Sequence, residues 1–585
     1  SGGRSAPDDP RTLAWWPTPD NLLVDPSREP GPPPGAPRGG TVNYYLGSNL
    51  HSLNDHVFNE GDLADHLAVY VYQYFAMRSF VDPDYYVPGL ANRVVVSDDT
   101  RTITLYIRKG QMWHPPYLTP EERSGPFKWL ADMPPQEVTA HDVKFTWDVV
   151  RNPLSESSAE ASYLMDVDEV VVVDDYTVEI RWKKARYYNL GSTLELVRTY
   201  PRHIWGRNEL GEELPIEEAA QLFPQHWHNQ RMCGNGPLRF DGFVQNQYIR
   251  LKRNEDFWGT KTAYETLMLH VLENPDIRLQ KLKAGQLDCF PLEPAQYRAE
   301  VLNGGPGSVK AMMDKGEIEL RQWEGETYYY IAWNQRRPMF REAAVRRALA
   351  HAFPKERVIR DVYAGLAVPH DGPVHRWENS YIKNLERFDF DLEKAARLLD
   401  EAGWKPGSGG VRQKAVDGLV RELRFKISVV NSRPVYRDFS LLYAKELAKI
   451  GVILDVDVKE WNQLTKLLDD KEYDAISLGW MTSWDSDPEQ IWHSRQADVP
   501  KGSNHCSFRN AAVDKAIEGL QEEFDPKRRK ELWRTFQETI VAEQPYLFLA
   551  IALRPYAINT RLGNVYFSKL RPQVWMYPWY VKKPD

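Results

Sequence analysis

The sequence predicts an α/β protein of more than one lobe, with a β-rich segment inserted early in the chain. From residue 326 onward, strand-like and helix-like runs alternate: "TYYYIAWN", "EAAVRRALAHAF", "DLEKAARLLDEAGW", "LRFKISVV", "YRDFSLLYAKELAKIG", "ILDVDVKEW" and "YDAISLGW". Such alternation is the signature of βαβ units around a mostly parallel sheet. Between about 76 and 194 the runs come in pairs, as "RVVVSDDTRTITLYIRKG" and "VDEVVVVDDYTVEIRWKK", each reading as a hairpin of alternating residues. A chain of 585 residues with 42% hydrophobic content buries enough apolar surface to divide into several compact lobes.

Taken in order, the opening through "EPGPPPGAPRGG" is too rich in Pro and Gly to pair regularly and reads as an extended leader or tether over 1–39. The fold is expected to begin near Gly40. "TVNYYLG" alternates like a strand, and "HSLNDHVFNEGDLADHLAVYVYQYF" runs from a polar loop into a helix whose start Asn and Asp can cap. "PPYLTPEERSGPFKWLADMPPQ" is read as a Pro-rich loop. "TAHDVKFTWDVVRNP" is read as a helix capped by Thr139 or Asp142. "GNGPLRFDGFVQNQYIRLKRN" gives a further hairpin, and "PDIRLQKLKAGQLDCF" a helix stopped by Gly285 and then a strand.

Composition excludes several functions. The formal net charge is −8, from 74 basic and 82 acidic residues mixed along the chain, which leaves no electrostatic footprint for nucleic acid. Cys233, Cys289 and Cys506 have no zinc-ligand spacing and allow at most one disulfide. No apolar run reaches the roughly 18 residues of a membrane span. No nucleophile elbow, Walker loop, HExxH, dinucleotide fingerprint or EF-hand loop is present, so no catalytic residue and no cofactor is assigned. "GSGG" at 407–410 lacks the Lys of a phosphate loop and is expected to be a flexible connection. His226 and His228 in "QHWHN" could begin a metal site on a strand face, but with no third ligand they read as surface or capping residues. Asp455 and Asp457 in "ILDVDV" read as a solvated strand face. No metal site is assigned.

The stretch "GWMTSWDSDPEQIW", 479–492, carries the ligand reading. "DAISLGW" is the last strand of the α/β lobe, and in open α/β sheets ligands meet the loops at the carboxyl ends of strands. Trp480 and Trp484 could offer stacking faces, and Asp485 an acceptor for an amine or hydroxyl. The competing reading puts Trp480 and Trp492 in the core and uses Asp485 or Asp487 only to cap the next helix.

Several phrases together resemble the family-5 extracellular solute-binding proteins, the oligopeptide- and dipeptide-binding components of bacterial ABC importers. They are "VPGLANRVVVSDDTRTITLYIRKGQMWH", "VTAHDVKFTWDVV", "GNGPLRFDGFVQNQYIRLKRNEDFWG", "AGQLD", "AWNQRRPMFREAAVRRALAHAFPKERVI", "DFDLEKAARLLDEAGW" and "KEYDAISLGW", in the family's order over about 40–570. The resemblance implies a two-lobed periplasmic binding protein of type II with an additional β-rich domain. Lobe I is then 40–75, 195–325 and 546–585, the inserted domain 76–194, and lobe II 326–545. It implies a monomer that binds an oligopeptide, works at the periplasm or outer surface with an ABC permease as partner, and closes about a hinge. A lipid anchor on the leader and an oligosaccharide ligand stay open alternatives; a cleft enzyme such as a glycoside hydrolase is the reading from another class.

The chain departs from the family's pattern in two places. His114 is followed by Pro115-Pro116 and the additional loop 115–136. Counting forward from Trp480 puts Ser483, and counting back from Pro488 puts Trp484, where peptide-binding members carry an aspartate for the peptide's amino terminus; Asp485 fits with a local shift. Trp461 in "VKEWNQL", Tyr330 and Asn334 in the crossing strand, and Asn54 in the first loop complete the ligand-binding set that the resemblance implies.

Overall fold

The computed structural model describes residues 20–58, 61–481 and 483–584. Residues 1–19 of the Pro/Gly-rich leader lie outside them. The chain divides into two compact units: 1–290, 312–319 and 557–585 form unit 1, and 291–311 with 320–556 form unit 2. It therefore passes between units at 290/291, 311/312, 319/320 and 556/557. The sequence expects passages near 325 and 545 instead. Two of the observed points fall inside the long strands Ile318–Trp333 and Tyr546–Asn559 and one inside the helix Val309–Asp314, so no compositional mark could locate them.

Unit 1 carries two four-stranded sheets. The first joins β1 (Thr41–Leu46) to strands from beyond the insertion, and β1 forms because Val42, Tyr44 and Leu46 alternate inward and are buried. The second is the insertion's own antiparallel sheet of β2 (Ala91–Val96), β3 (Thr102–Ile107), β4 (Val167–Asp174) and β5 (Thr177–Trp182), ordered β2-β3-β5-β4. Between its hairpins lies α1 (Ala140–Arg151), started by a reciprocal capping box of Thr139 and Asp142. Val143, Trp147 and Val150 are fully buried on one face of α1. The first sheet is completed by β6 (Leu238–Val244), β7 (Tyr248–Arg253) and β8 (Thr266–Val271), in the order β1-β8-β7-β6. Its β1 and β8 are parallel. Helix α2 (Pro275–Lys283) starts on Asn274, whose side chain accepts from two backbone amides, and stops at Ala284 before Gly285 at φ 71°.

Two segments of unit 1 differ from expectation. Ordered structure begins ahead of Gly40: Leu22 donates to the Val94 carbonyl at 3.0 Å and Val24 to the Tyr86 carbonyl at 2.8 Å. The apolar pair Leu23 and Val24 is buried there, which supplies the energy that the Pro-rich stretch alone lacks. The loop 115–136 contains two short helices, Pro120–Ser124 and Lys128–Ala131. Phe127 stacks on Trp227 at 4.7 Å and Trp129 meets the same indole edge-on at 5.8 Å. This clip also explains "QHWHN": His226 and His228 are buried beside Trp205 and Trp227 rather than exposed.

Unit 2 is built on one seven-stranded sheet and also carries a small three-stranded sheet of Lys405–Pro406, Arg412–Val416 and Leu419–Glu422. The strands of the larger sheet are β9 (Cys289–Pro291), β10 (Ile318–Trp333), β11 (Ala367–Pro369), β12 (Arg424–Val430), β13 (Ile453–Lys459), β14 (Ala475–Met481) and β15 (Tyr546–Asn559). The order is β9-β15-β10-β14-β12-β13, with β11 on β15. Strands β12, β13 and β14 are mutually parallel, while β10 runs antiparallel to β14 and β11 to β15. The sheet is thus mixed where the sequence expects it mostly parallel, because hydrophobic alternation is blind to strand direction. Helices α3 (Ala343–His351), α4 (Leu392–Glu401), α5 (Pro434–Ala448), α6 (Trp461–Asp470), α7 (Ala511–Glu522) and α8 (Pro526–Glu543) pack around it, with Ala348, Leu399, Phe439, Leu464, Ile517 and Ile540 in one core. The "GSGG" run is a turn closed by Gly407 donating to the Val411 carbonyl at 2.8 Å.

Among the described residues no helix is long and apolar enough to cross a membrane and no cluster of ligating side chains could hold a metal ion. The three cysteines are free and buried.

Candidate ligand-binding site

In unit 2 the three parallel strands β12, β13 and β14 end side by side, and the loops after Val430, Lys459 and Met481 therefore share one edge of the sheet. Loop 431–433 leads into α5, whose first position is Pro434. Asn431 ties it to the next loop, donating its backbone N–H to the Lys459 carbonyl at 2.9 Å and its side-chain amide to Glu460. Trp461 opens α6 directly after β13 and is 54% exposed. After β14 the described chain continues with the loop 483–488, in which Trp484 and Asp485 are both partly exposed.

A layered aromatic block supports this edge from one face of the sheet. The Tyr330 and Tyr546 rings lie parallel at 4.0 Å, Trp480 is stacked on Tyr330 at 6.3 Å, and His505 on Trp480 at 5.3 Å. Stacked pairs of this kind contribute about 0.5–1.5 kcal/mol each beyond their buried area. Trp480 is also tied by its indole N–H to the Tyr546 hydroxyl at 3.4 Å. Its position is fixed before any ligand arrives.

The other face holds a cation. Arg433 is exposed and donates to the Tyr329 hydroxyl at 3.4 Å, while the Tyr329 and Tyr436 rings meet edge-on at 5.8 Å. The phenol oxygens of Tyr329 and Tyr436 outweigh desolvation and push the guanidinium's pKa up, so it stays charged at every working pH. Tyr329 can lie here because its strand partner is Gly479. A Cβ at 479 would stand 2.8 Å from Tyr329 Cδ1 and 2.6 Å from Thr327 Cγ2. Arg554 belongs to the same cluster: burial opposes its charge, but Tyr556, Tyr329 and Glu326 overcome that and raise its pKa.

The seven expected ligand residues thus fall into three groups. Trp480, Trp484 and Asp485 lie at or just after the carboxyl end of β14, and Trp461 just after that of β13. Tyr330 is fully buried beneath Trp480 and acts as its platform. Asn334 and Asn54 are fully buried, and their amides are occupied by the protein. Asn334 Nδ2 donates to the Lys471 and Tyr473 carbonyls at 2.9 and 2.7 Å, and Asn54 Nδ2 donates to the Phe223 carbonyl at 3.1 Å. A buried amide must find such partners, so both asparagines tie loops together where the sequence expects ligand contacts.

Of the competing reading, Trp492 is buried in the core; Asp487 accepts from the Glu489 N–H at 2.9 Å and from Gln521 Nε2 at 3.0 Å, while the N-cap of the helix Glu489–Trp492 is Pro488. Ser483 and Ser486 bond each other at 2.7 Å across the loop.

Sequence reasoning missed Arg433. The available signal was its place between a parallel strand and a Pro-started helix, the same carboxyl-end rule that singled out Trp484. Asp455 and Asp457 are, as expected, on a strand face in contact with solvent, paired with Arg424 at 3.2 Å and Lys459 at 3.2 Å.

Comparison with known proteins adds the following. The family model of the bacterial extracellular solute-binding proteins, family 5 Middle, matches residues 85–500. The chain is 26% identical over 457 residues to the oligopeptide-binding protein AppA of Bacillus subtilis, covering 77% of this chain and 78% of the relative. It is 23% identical over 522 residues to the dipeptide-binding protein of Escherichia coli, covering 87% and 89%. Its fold is similar to the solved structure of AppA from Bacillus subtilis in complex with a nonapeptide, with TM-score 0.74, 23% identity, and 94% and 100% of the two chains covered. DppA from Helicobacter pylori in complex with the peptide STSA is similar at TM-score 0.72, 19% identity, 94% and 99% covered. The fold is thus the α/β, two-lobed periplasmic binding protein fold expected from the sequence.

Proposed function

The chain belongs to the bacterial extracellular solute-binding proteins of family 5, and on that premise we propose that it captures short peptides outside the cytoplasm and delivers them to a membrane permease of the ABC class. One observation carries the peptide reading: an exposed guanidinium, Arg433, and an acidic loop with Asp485 leave neighbouring strands of one sheet edge. A peptide with free termini has the complementary charges, a carboxylate for Arg433 and an ammonium for Asp485. The names of the relatives, oligopeptide- and dipeptide-binding proteins, support the same class.

Neighbouring strands lie about 4.8 Å apart and an extended peptide spans about 3.3–3.6 Å per residue. A peptide of two residues or more is therefore long enough to reach from one loop to the other, with Trp484 and Trp461 as faces for side chains. Delivery needs no covalent chemistry. A ligand that prefers the closed conformation shifts the population toward it, and about 5 kcal/mol of differential binding turns a mostly open ensemble into a mostly closed one.

A neutral oligosaccharide could stack on the exposed indoles but would leave Arg433 without a counter-charge, so the sugar reading is the weaker one. The test is calorimetric titration with a di- or tripeptide, its N-acetylated form, its C-terminal amide, and a neutral hexose oligomer. Tight binding of the free peptide and weaker binding of both blocked forms is expected, with the peptide recovered intact. Binding of the hexose oligomer alone would overturn the reading, and release of free amino acids would make the protein an enzyme.

A further inference from the structure

In unit 1 the loop 48–58 leaves the carboxyl end of β1, which runs parallel to β8. It has no regular structure after Ser48 and is held by a buried charged network. Asp55 pairs with Arg198 and accepts from the Tyr200 hydroxyl. His56 Nδ1 stands 2.6 Å from the Glu160 carboxylate, and His56 Nε2 stands 2.8 Å from the Arg198 carbonyl. The side chains of His56, Asp55, Arg198 and Glu160 are only 0%, 3%, 7% and 16% exposed.

The proton inventory follows from these contacts. A carbonyl only accepts, so Nε2 carries a hydrogen. Nδ1 faces a carboxylate at hydrogen-bond distance, so a second proton lies between the ring and Glu160. With that proton in place the network is neutral: one guanidinium and one shared proton against two carboxylates. When hydroxide removes it as water, one negative charge is left in a largely buried site, and among the described residues no other cation faces the pair. The neighbours of His56 from each packed element are Asp55 on its own loop, Arg198 and Tyr200 from 196–201, Glu160 from the helix Ser158–Tyr163, and the Phe223 ring at 6.1 Å. Behind them Tyr72 stacks on Tyr200 at 4.8 Å, and Tyr74 lies under Arg198 at 4.3 Å.

We propose that the proton shared by His56 and Glu160 is a latch that holds loop 48–58 in place and releases it when the medium turns alkaline. The latch acts whether or not a ligand is bound. Burial alone would favour neutral imidazole, but the charge and hydrogen bond of Glu160 reverse this and raise the pKa of His56, which puts release above the ordinary imidazole range.

Hydrogen exchange read by mass spectrometry tests this, corrected for the intrinsic rate at each pH, from about pH 6 to about pH 9.5, which brackets that range from below. The wild type is expected to lose protection at 48–58 at least tenfold across the interval while strand 266–271 of the same unit stays constant. In Glu160→Gln the amide donates to neutral Nδ1 without an ionisable proton, and the protection of 48–58 is expected to be independent of pH. Constant protection of 48–58 in the wild type, an equal loss at 266–271, or the same slope in Glu160→Gln would each overturn the latch. The wild-type comparison of the two segments decides the matter if Glu160→Gln fails to fold.

Discussion

Arg561 grips Asp288 with two parallel hydrogen bonds, Nε to Oδ1 and Nη2 to Oδ2, both 2.6 Å. Asp288 lies just before the chain leaves unit 1, and Arg561 just after its last return. The same carboxylate accepts from the Asn43 N–H at 2.7 Å, and the Asp288 carbonyl accepts from the Asn559 N–H at 2.7 Å. One buried residue, through its carboxylate and its carbonyl, thus ties the departing strand, the returning strand and β1 together inside unit 1.

Removing the charge while keeping the shape, Asp288→Asn, leaves Arg561 without its counter-ion. A broken pair of this kind costs several kcal/mol when fully buried, and Arg561 is partly exposed. We expect a loss of about 2–4 kcal/mol in urea unfolding. An unfolding midpoint equal to wild type would show that the pair is dispensable.

Gly479→Ala should damage unit 2 although no unusual backbone angle is needed there. The added methyl meets Tyr329 and Thr327 at less than contact distance, and overpacking of this kind costs about 1–3 kcal/mol. Because Tyr329 holds Arg433, peptide affinity should fall as well. Titration of Gly479→Ala with a dipeptide checks the second effect, and unchanged affinity would uncouple Tyr329 from the anchor.

Arg433→Ala should weaken a free dipeptide by about 10–100-fold, the worth of a charge-assisted hydrogen bond of roughly 1.5–3 kcal/mol. The C-terminal amide should bind wild type and variant alike. Equal losses for both ligands would mean that Arg433 supports the loop and does not hold the carboxylate.

The buried histidines give the protein an acid limit. Burial pushes His114 and His226 down to about 4, below the ordinary value near 6.5. Between these values the unfolded chain binds the extra protons, so their contribution is complete above about pH 6.5 and is lost as pH falls toward 4, by roughly 2 kcal/mol for each imidazole at about pH 5. Chemical unfolding of the wild type and His226→Gln at about pH 7 and pH 5 reads this difference. The variant should show a shallower acid slope, and identical slopes would contradict it.

Alternation and capping are local properties, and they were legible in the chain. The strand "TVNYYL", the hairpins of the insertion, and the Thr139–Asp142 box around α1 all stand where the residues put them. Strand direction and burial depth depend on partners distant in sequence. Nothing in "ILDVDV" or "TYYYIAWN" distinguishes a parallel neighbour from an antiparallel one, which is why the mixed sheet was not foreseen. The same limit applies to Asn54 and Asn334, whose amides are consumed by Phe223, Lys471 and Tyr473. Arg433 escaped notice because an arginine before a proline carries no motif; it gains meaning only when β12, β13 and β14 are seen to end together.

The most direct test of the central claim is native mass spectrometry of the gently purified protein against its denatured mass, after incubation with an equimolar mixture of di- to nonapeptides and neutral hexose oligomers. The account predicts a bound series with peptide masses, depleted in Arg433→Ala. A bound hexose series with no peptide, or peptide adducts that survive unchanged in Arg433→Ala, would contradict it.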